Sequence, residues 1–156
     1  MVLRRSLAAL ALVAAGPVLA APQSISVHGD WGAFRDAKLC HAVAMVHTTR
    51  KQPEIQGFAT VLADKAGRVS VHVRLSRAVA KGAAITLEAG NRRFRLLGNE
   101  YDARARPEDA RPIVDALRRS DTMTVGTKDW KGQRLRDVYR LAGAPTAIDA
   151  ALVACA

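Results

Sequence analysis

The chain has 156 residues, with 24 lysines and arginines against 14 aspartates and glutamates, for a formal net charge of +10. That length suits one domain with its own core and excludes two of ordinary size. Aromatic residues make up only 4%, which excludes the interleaved stacking platform that single-stranded nucleic acids require.

The chain opens Met1-Val2-Leu3-Arg4-Arg5, continues through an apolar stretch from Leu7 to Leu19, and reaches small residues at Ala20 and Ala21. This is the three-part layout of a secretory signal, and it predicts a cut after Ala20. Pro17 helps to end the helix of the apolar stretch, which is shorter than the ~18 residues a spanning helix needs. No cysteine follows the cut, so no lipid anchor is expected. The expected mature domain is residues 21–156, with a net charge of +8 once Arg4 and Arg5 are lost. Such a balance favours an acidic partner, although solubility alone also accounts for basic residues spread along a chain.

Residues 24–31, 38–47 and 57–63 read as strands, joined by turns at residues 32–37 and around Pro53. From Arg68 to Leu75 apolar and polar residues alternate at period two, as a half-buried strand requires. Residues 85–89 and 92–96 form a hairpin turning at Gly90-Asn91, two residues that tolerate positive φ. Asp109 is the expected cap of a helix carrying Ala110, Ile113, Val114 and Leu117 on one stripe, with Arg118 and Arg119 at its favourable end. A third hairpin runs from Met123 through Asp129-Trp130-Lys131-Gly132 to Leu141, and its alternation breaks near Asp137, which predicts a bulge or a shifted register. Thr146 and Asp149 resemble a capping box for a last helix that turns Ile148, Ala151, Leu152 and Cys155 to one face. Together these elements predict an all-β, antiparallel, immunoglobulin-like β-sandwich with one or two short helices.

Two cysteines are present, Cys40 and Cys155. In an oxidising compartment an even count predicts a bridge, here between an early strand and the last residues.

Chemistry is harder to place. The four histidines, His28, His41, His47 and His72, belong to no motif that names a reaction, and six residues of extended chain put His41 about 20 Å from His47, too far to share a metal. The sequence holds no Gly-x-Ser-x-Gly elbow, His-Glu-x-x-His, phosphate-binding glycine loop or Cys-x-x-Cys. No catalytic residue, metal or cofactor is therefore assigned. The pairs Asp30-Trp31 and Asp129-Trp130 suit a carbohydrate platform, but a core position for Trp31 and a turn at Asp129 explain them better. Asp137 has a structural ion pair as its expected role. Arg93, Arg95, Arg118 and Arg119 are the candidate face for a polyanion or protein partner; pairing with acidic neighbours is the competing explanation.

Gly29-Asp30-Trp31 near the mature start, Cys40 opening the next strand, central hairpins, and Ala147-Ile148-Asp149-Ala150 leading to Cys155 resemble the invasion-associated locus B family of bacterial exported proteins. The likeness spans Gly29 to Cys155, though this chain lacks the further mid-chain cysteine pair of that family. The resemblance implies a β-sandwich in the periplasm or at the outer surface, associated in some members with entry into host cells, with no established enzymatic activity and no active-site residues to carry over. The expected function is thus an exported, non-enzymatic envelope protein that binds a protein or acidic surface polymer through a basic face. No specific nucleic acid is implied, and peripheral contact with a membrane is compatible. A small periplasmic hydrolase using the histidines, Asp137 and Asp30, or an inhibitor or chaperone-like module offering a strand edge, are the alternatives.

Overall fold

The computed structural model describes residues 22–36, 39–47 and 54–156. The expected signal segment, residues 1–20, and the turn expected around Pro53 lie outside the described residues. Ten strands and two helices follow in the order β1 (Gln23–His28), β2 (Trp31–Asp36), β3 (Leu39–Met45), β4 (Phe58–Asp64), β5 (Val69–Arg74), β6 (Ile85–Ala89), β7 (Arg92–Asn99), β8 (Asp102–Arg104), α1 (Pro107–Leu117), β9 (Thr122–Lys128), β10 (Arg134–Arg140) and α2 (Ala144–Ala154).

Every pairing is antiparallel, and the strand order is β1-β2-β3-β4-β5-β8-β7-β6-β9-β10. The all-β expectation holds. Strand β7 carries the sheet from one layer to the other: residues 92–96 pair with β6, and residues 97–99 pair with β8. The crossing is tight at Gly98, where a Cβ would meet the Asp102 carbonyl oxygen at 2.2 Å, so only glycine fits. Inward residues such as Val61, Val71, Leu87 and Val125 form one core, which α1 fills from one side with Ile113, Val114 and Leu117.

The start of the domain differs from the sequence reading. Residues 24–31 do not form one strand; the chain reverses at Gly29-Asp30, where Gly29 has a φ of 55°, and residues 32–36 of the expected turn instead belong to β2. Gly32, which reads as a turn residue, lies in β2 paired with Val27 and Val43, and the Phe34 ring covers it so closely that a Cβ would stand 2.7 Å away.

Both helix starts also move. Helix α1 begins at Pro107, whose fixed φ suits the first helical position, and Asp109 sits in the first turn instead of capping it. Helix α2 begins after Gly143, so Thr146 and Asp149 lie inside it and form no capping box. Asp149 instead accepts a hydrogen bond from Arg118 at 2.5 Å, tying the two helices together.

Cys40 shares the inward phase of β3 with Ala42 and Ala44, and Cys155 follows the last turn of α2. A disulfide joins them, with Cα atoms 5.8 Å apart and a sequence separation of 115. Closing so long a loop removes about 4 to 5 kcal/mol of unfolded-state entropy in the chain-entropy model. We expect Cys40→Ser to lose most of that stability in urea titrations of oxidised protein, whereas a change below about 1 kcal/mol would mean that α2 docks on β1 to β4 without the bridge.

Candidate functional site

The histidines do not converge. His41 stacks on Phe34 with ring centroids 5.8 Å apart, while the backbone N–H of exposed His47 donates to the Val138 carbonyl. His72 lies on the outer side of β5 opposite Arg104, and desolvation, followed by the Arg104 charge, lowers its pKa. No group of three or more histidines, cysteines, aspartates or glutamates is placed to hold a metal among the described residues.

Asp137 is where the expected irregularity fails to occur. Strand β10 pairs with β9 without a break from Arg134↔Lys128 to Arg140↔Thr122, so Asp137 takes an ordinary inward position between Leu135 and Tyr139. Its carboxylate is not ion-paired as expected. It accepts the Ser76 N–H at 2.8 Å and the Ser76 hydroxyl at 2.5 Å. Burial raises its pKa more than these bonds and the charge of Arg77 lower it. The hydroxyl of neighbouring Tyr139 is buried with no partner among the described residues, and desolvation pushes its pKa well up.

Asp129 holds its own turn, accepting from the Lys131 and Gln133 amides and from Arg77. Trp130 beside it is exposed, with its indole N–H donated to Glu54, a bond that lowers the Glu54 pKa together with one from Tyr101. Trp31 is 1% exposed and donates its indole N–H to the Arg140 carbonyl at 2.9 Å. Asp30 and Trp31 thus belong to the corner where β2 meets the end of β10, and neither tryptophan forms the carbohydrate pair.

The four candidate arginines differ in their partners. Arg118 is held by Asp115 and Asp149 at the helix junction, and Arg119 is exposed beside it. Arg93 and Arg95 point outward from β7, with Arg93 also bonded to Glu88. The register then places further cations beside them: one row reads Arg95-Thr86-Gly126-Arg136 across β7, β6, β9 and β10, and the next reads Arg93-Glu88-Thr124-Val138. Lys128 stands directly opposite Arg134, and Arg140 follows on the same side. This outward surface therefore carries six exposed cations and one carboxylate over a floor of threonine and glycine.

No protein-family model and no curated protein matches the chain. Among solved structures, invasion associated protein B from Bartonella henselae superposes with a TM-score of 0.61 at 14% identity, covering 83% of this chain and 95% of that one. The chain has the fold of invasion associated protein B.

On the invasion associated protein B fold, the residues that sequence reasoning missed are Lys128, Arg134, Arg136 and Arg140. The signal was present in the third hairpin: with Asp137 read as an inward residue, Arg134, Arg136 and Arg140 fall in the outward phase by period two alone.

Asp137 gives a test with a definite sign. Its folded pKa is raised, so the folded state binds its proton more tightly, and that contribution to stability is full below the ordinary carboxylate range and lost as pH rises through the folded value. Asp137→Asn keeps an acceptor for the Ser76 amide and removes the charge. We expect its urea midpoint to gain on wild type between about pH 4 and about pH 7. Asp137→Ala, which strands the Ser76 donors, should cost about 1–3 kcal/mol at either pH.

Proposed function

We propose that this is an exported, non-enzymatic envelope protein of the invasion-associated locus B type, which binds a polyanionic partner through the outward face of β7, β6, β9 and β10. The observation that carries the reading is the opposition of Lys128 and Arg134 within a face of six cations and one carboxylate. Like charges set directly across a strand pair destabilise the sheet, and an anion seated between them removes that cost. Arg93 and Arg95 belong to this face as the sequence suggests; Arg118 is engaged with Asp115 and Asp149 instead.

Export rests on the layout of residues 1–21 and on the Cys40–Cys155 bridge, which persists in an oxidising compartment. No helix of the described residues is long and apolar enough to cross a membrane. The structural relative is named for invasion, and the leading segment supports an envelope setting for this chain. Binding without catalysis fits Ser76, whose hydroxyl is bonded to a buried carboxylate but is 6% exposed and has no histidine bonded to it among the described residues.

Heparin serves as the probe for the basic face. Affinity should fall steeply with salt, since exposed charges are screened beyond about 10 Å at 0.1 M. Arg95→Ser combined with Arg136→Ser should flatten the slope of log affinity against log salt by about two, with the thermal midpoint nearly unchanged. Replacing Lys65 and Lys81 should change retention far less. Equal losses from the two pairs would reduce the effect to net charge and overturn the reading. Export is checked separately by intact mass, which should correspond to a chain beginning at Ala21 or Pro22 in protein recovered from the envelope of its native host.

A further inference from the structure

The outer side of the other layer differs from the basic face. Strands β3, β4, β5 and the end of β7 turn Leu39, Leu62, His72 and Leu97 outward, and neither helix covers them, because α1 and α2 both pack on the inner side. Leu39 and Leu97 are each 41% exposed. Between the β4–β5 hairpin and the first turn of α1 these residues floor a groove of about 1030 Å³, open along one side. Its size lies at the upper end of small-molecule sites and is far larger than an isolated ion needs.

The rim of the groove has the opposite character. Arg104 and Arg106 make no ion pair among the described residues, and Arg111 donates to the Gly67 carbonyl at 3.0 Å while keeping its charge. Asp64 is already held by Arg68 at 2.7 Å, which leaves Glu108 as the carboxylate opposing three arginines. Arg104 pairs in register with both His72 and Leu97, so the cations rise on the Leu97 side of the floor and leave Leu62 and Leu39 beyond them, which complements a molecule having an anionic head and an apolar chain. A purely polar polyanion would leave the leucines in water, and an uncharged apolar ligand would leave the arginines without a counterion.

We propose that the groove over Leu39, Leu62 and Leu97 binds one acyl chain, with its carboxylate head held by Arg104 and Arg106. The head meets Arg104 and Arg106, with Leu97 beside it, and the chain runs from there over Leu62 toward Leu39, displacing water from apolar surface. Nothing in this arrangement needs the basic face of β7, β6, β9 and β10, so the two sites are separable.

Dodecanoate is the probe, titrated calorimetrically into the oxidised protein below its micelle concentration. One chain should bind per monomer, and affinity should fall about fourfold for each methylene removed on passing to decanoate and octanoate. Leu97→Ser, at a half-exposed position that leaves the melting curve in place, should weaken binding at least several-fold. Arg104→Ser with Arg106→Ser should bring dodecanoate down toward its uncharged methyl ester, whereas Arg95→Ser with Arg136→Ser should leave dodecanoate binding unchanged and weaken only heparin. The proposal is overturned by an absence of saturable binding, by affinity independent of chain length, or by equal binding to the Leu97→Ser protein. It is likewise overturned if the protein binds phosphatidylglycerol vesicles but not monomeric dodecanoate, which would make the groove a membrane contact. Self-association through Leu39 and Leu97 that dodecanoate does not disperse would assign the surface to a second copy instead.

Discussion

The buried indole of Trp31 sits where the first and last parts of the sheet meet, and its bond to the Arg140 carbonyl reaches across 109 residues. The surrounding backbone leaves no slack. A Cβ on Gly29 would meet the Ala142 carbonyl oxygen at 2.5 Å, one on Gly143 would meet the His28 carbonyl oxygen at 1.9 Å, and the Asp30 amide donates to Ala142. Because β7 joins the two layers on one side, this corner is what keeps them from opening on the other. Glycine is required on both sides of it, once for a two-residue reversal and once for the lead into α2, each at positive φ. The short Gly29-Asp30-Trp31 run is therefore a closure device, and its aspartate contributes through its amide.

The disulfide works beside that corner. Helix α2 leaves Gly143, lies over β1 to β4, and is pinned at its far end by Cys155 to Cys40. Its first residues are fixed by the glycine fit and its last by a covalent bond, which positions Asp149 to receive Arg118 from α1. An arginine that reads from sequence as free to meet a ligand is thereby absorbed into helix packing.

How legible all this was depends on range. The strand over residues 69–74 and the Gly90-Asn91 hairpin follow from period two and from turn chemistry, both local, and the structure has them where the sequence puts them. The bridge followed from compartment and parity of count. The helix starts were misplaced because side-chain caps at Asp109 and Thr146 outweighed proline at Pro107 and the left-handed Gly143, which set the true starts. Asp137 misled for a different reason: a carboxylate in an inward phase looks like a register error until its partner is known, and Ser76 lies 61 residues away. The basic face inherits that difficulty, since its β10 arginines become visible only when Asp137 is allowed inside. The apolar groove needs the whole sheet, as its leucines come from three strands distant in sequence.

Arg93, Arg95 and Leu97 stand on one side of β7, and Phe94 and Leu96 on the other. The chemistry of both outer surfaces is thus written along one eight-residue strand. A slip of β7 by a single residue would drive the arginines into the core and push Phe94 and Leu96 into water, abolishing both surfaces together. The close packing at Gly98 fixes the strand against such a slip, so one residue without a side chain acts as the index mark from which the two outer surfaces are measured.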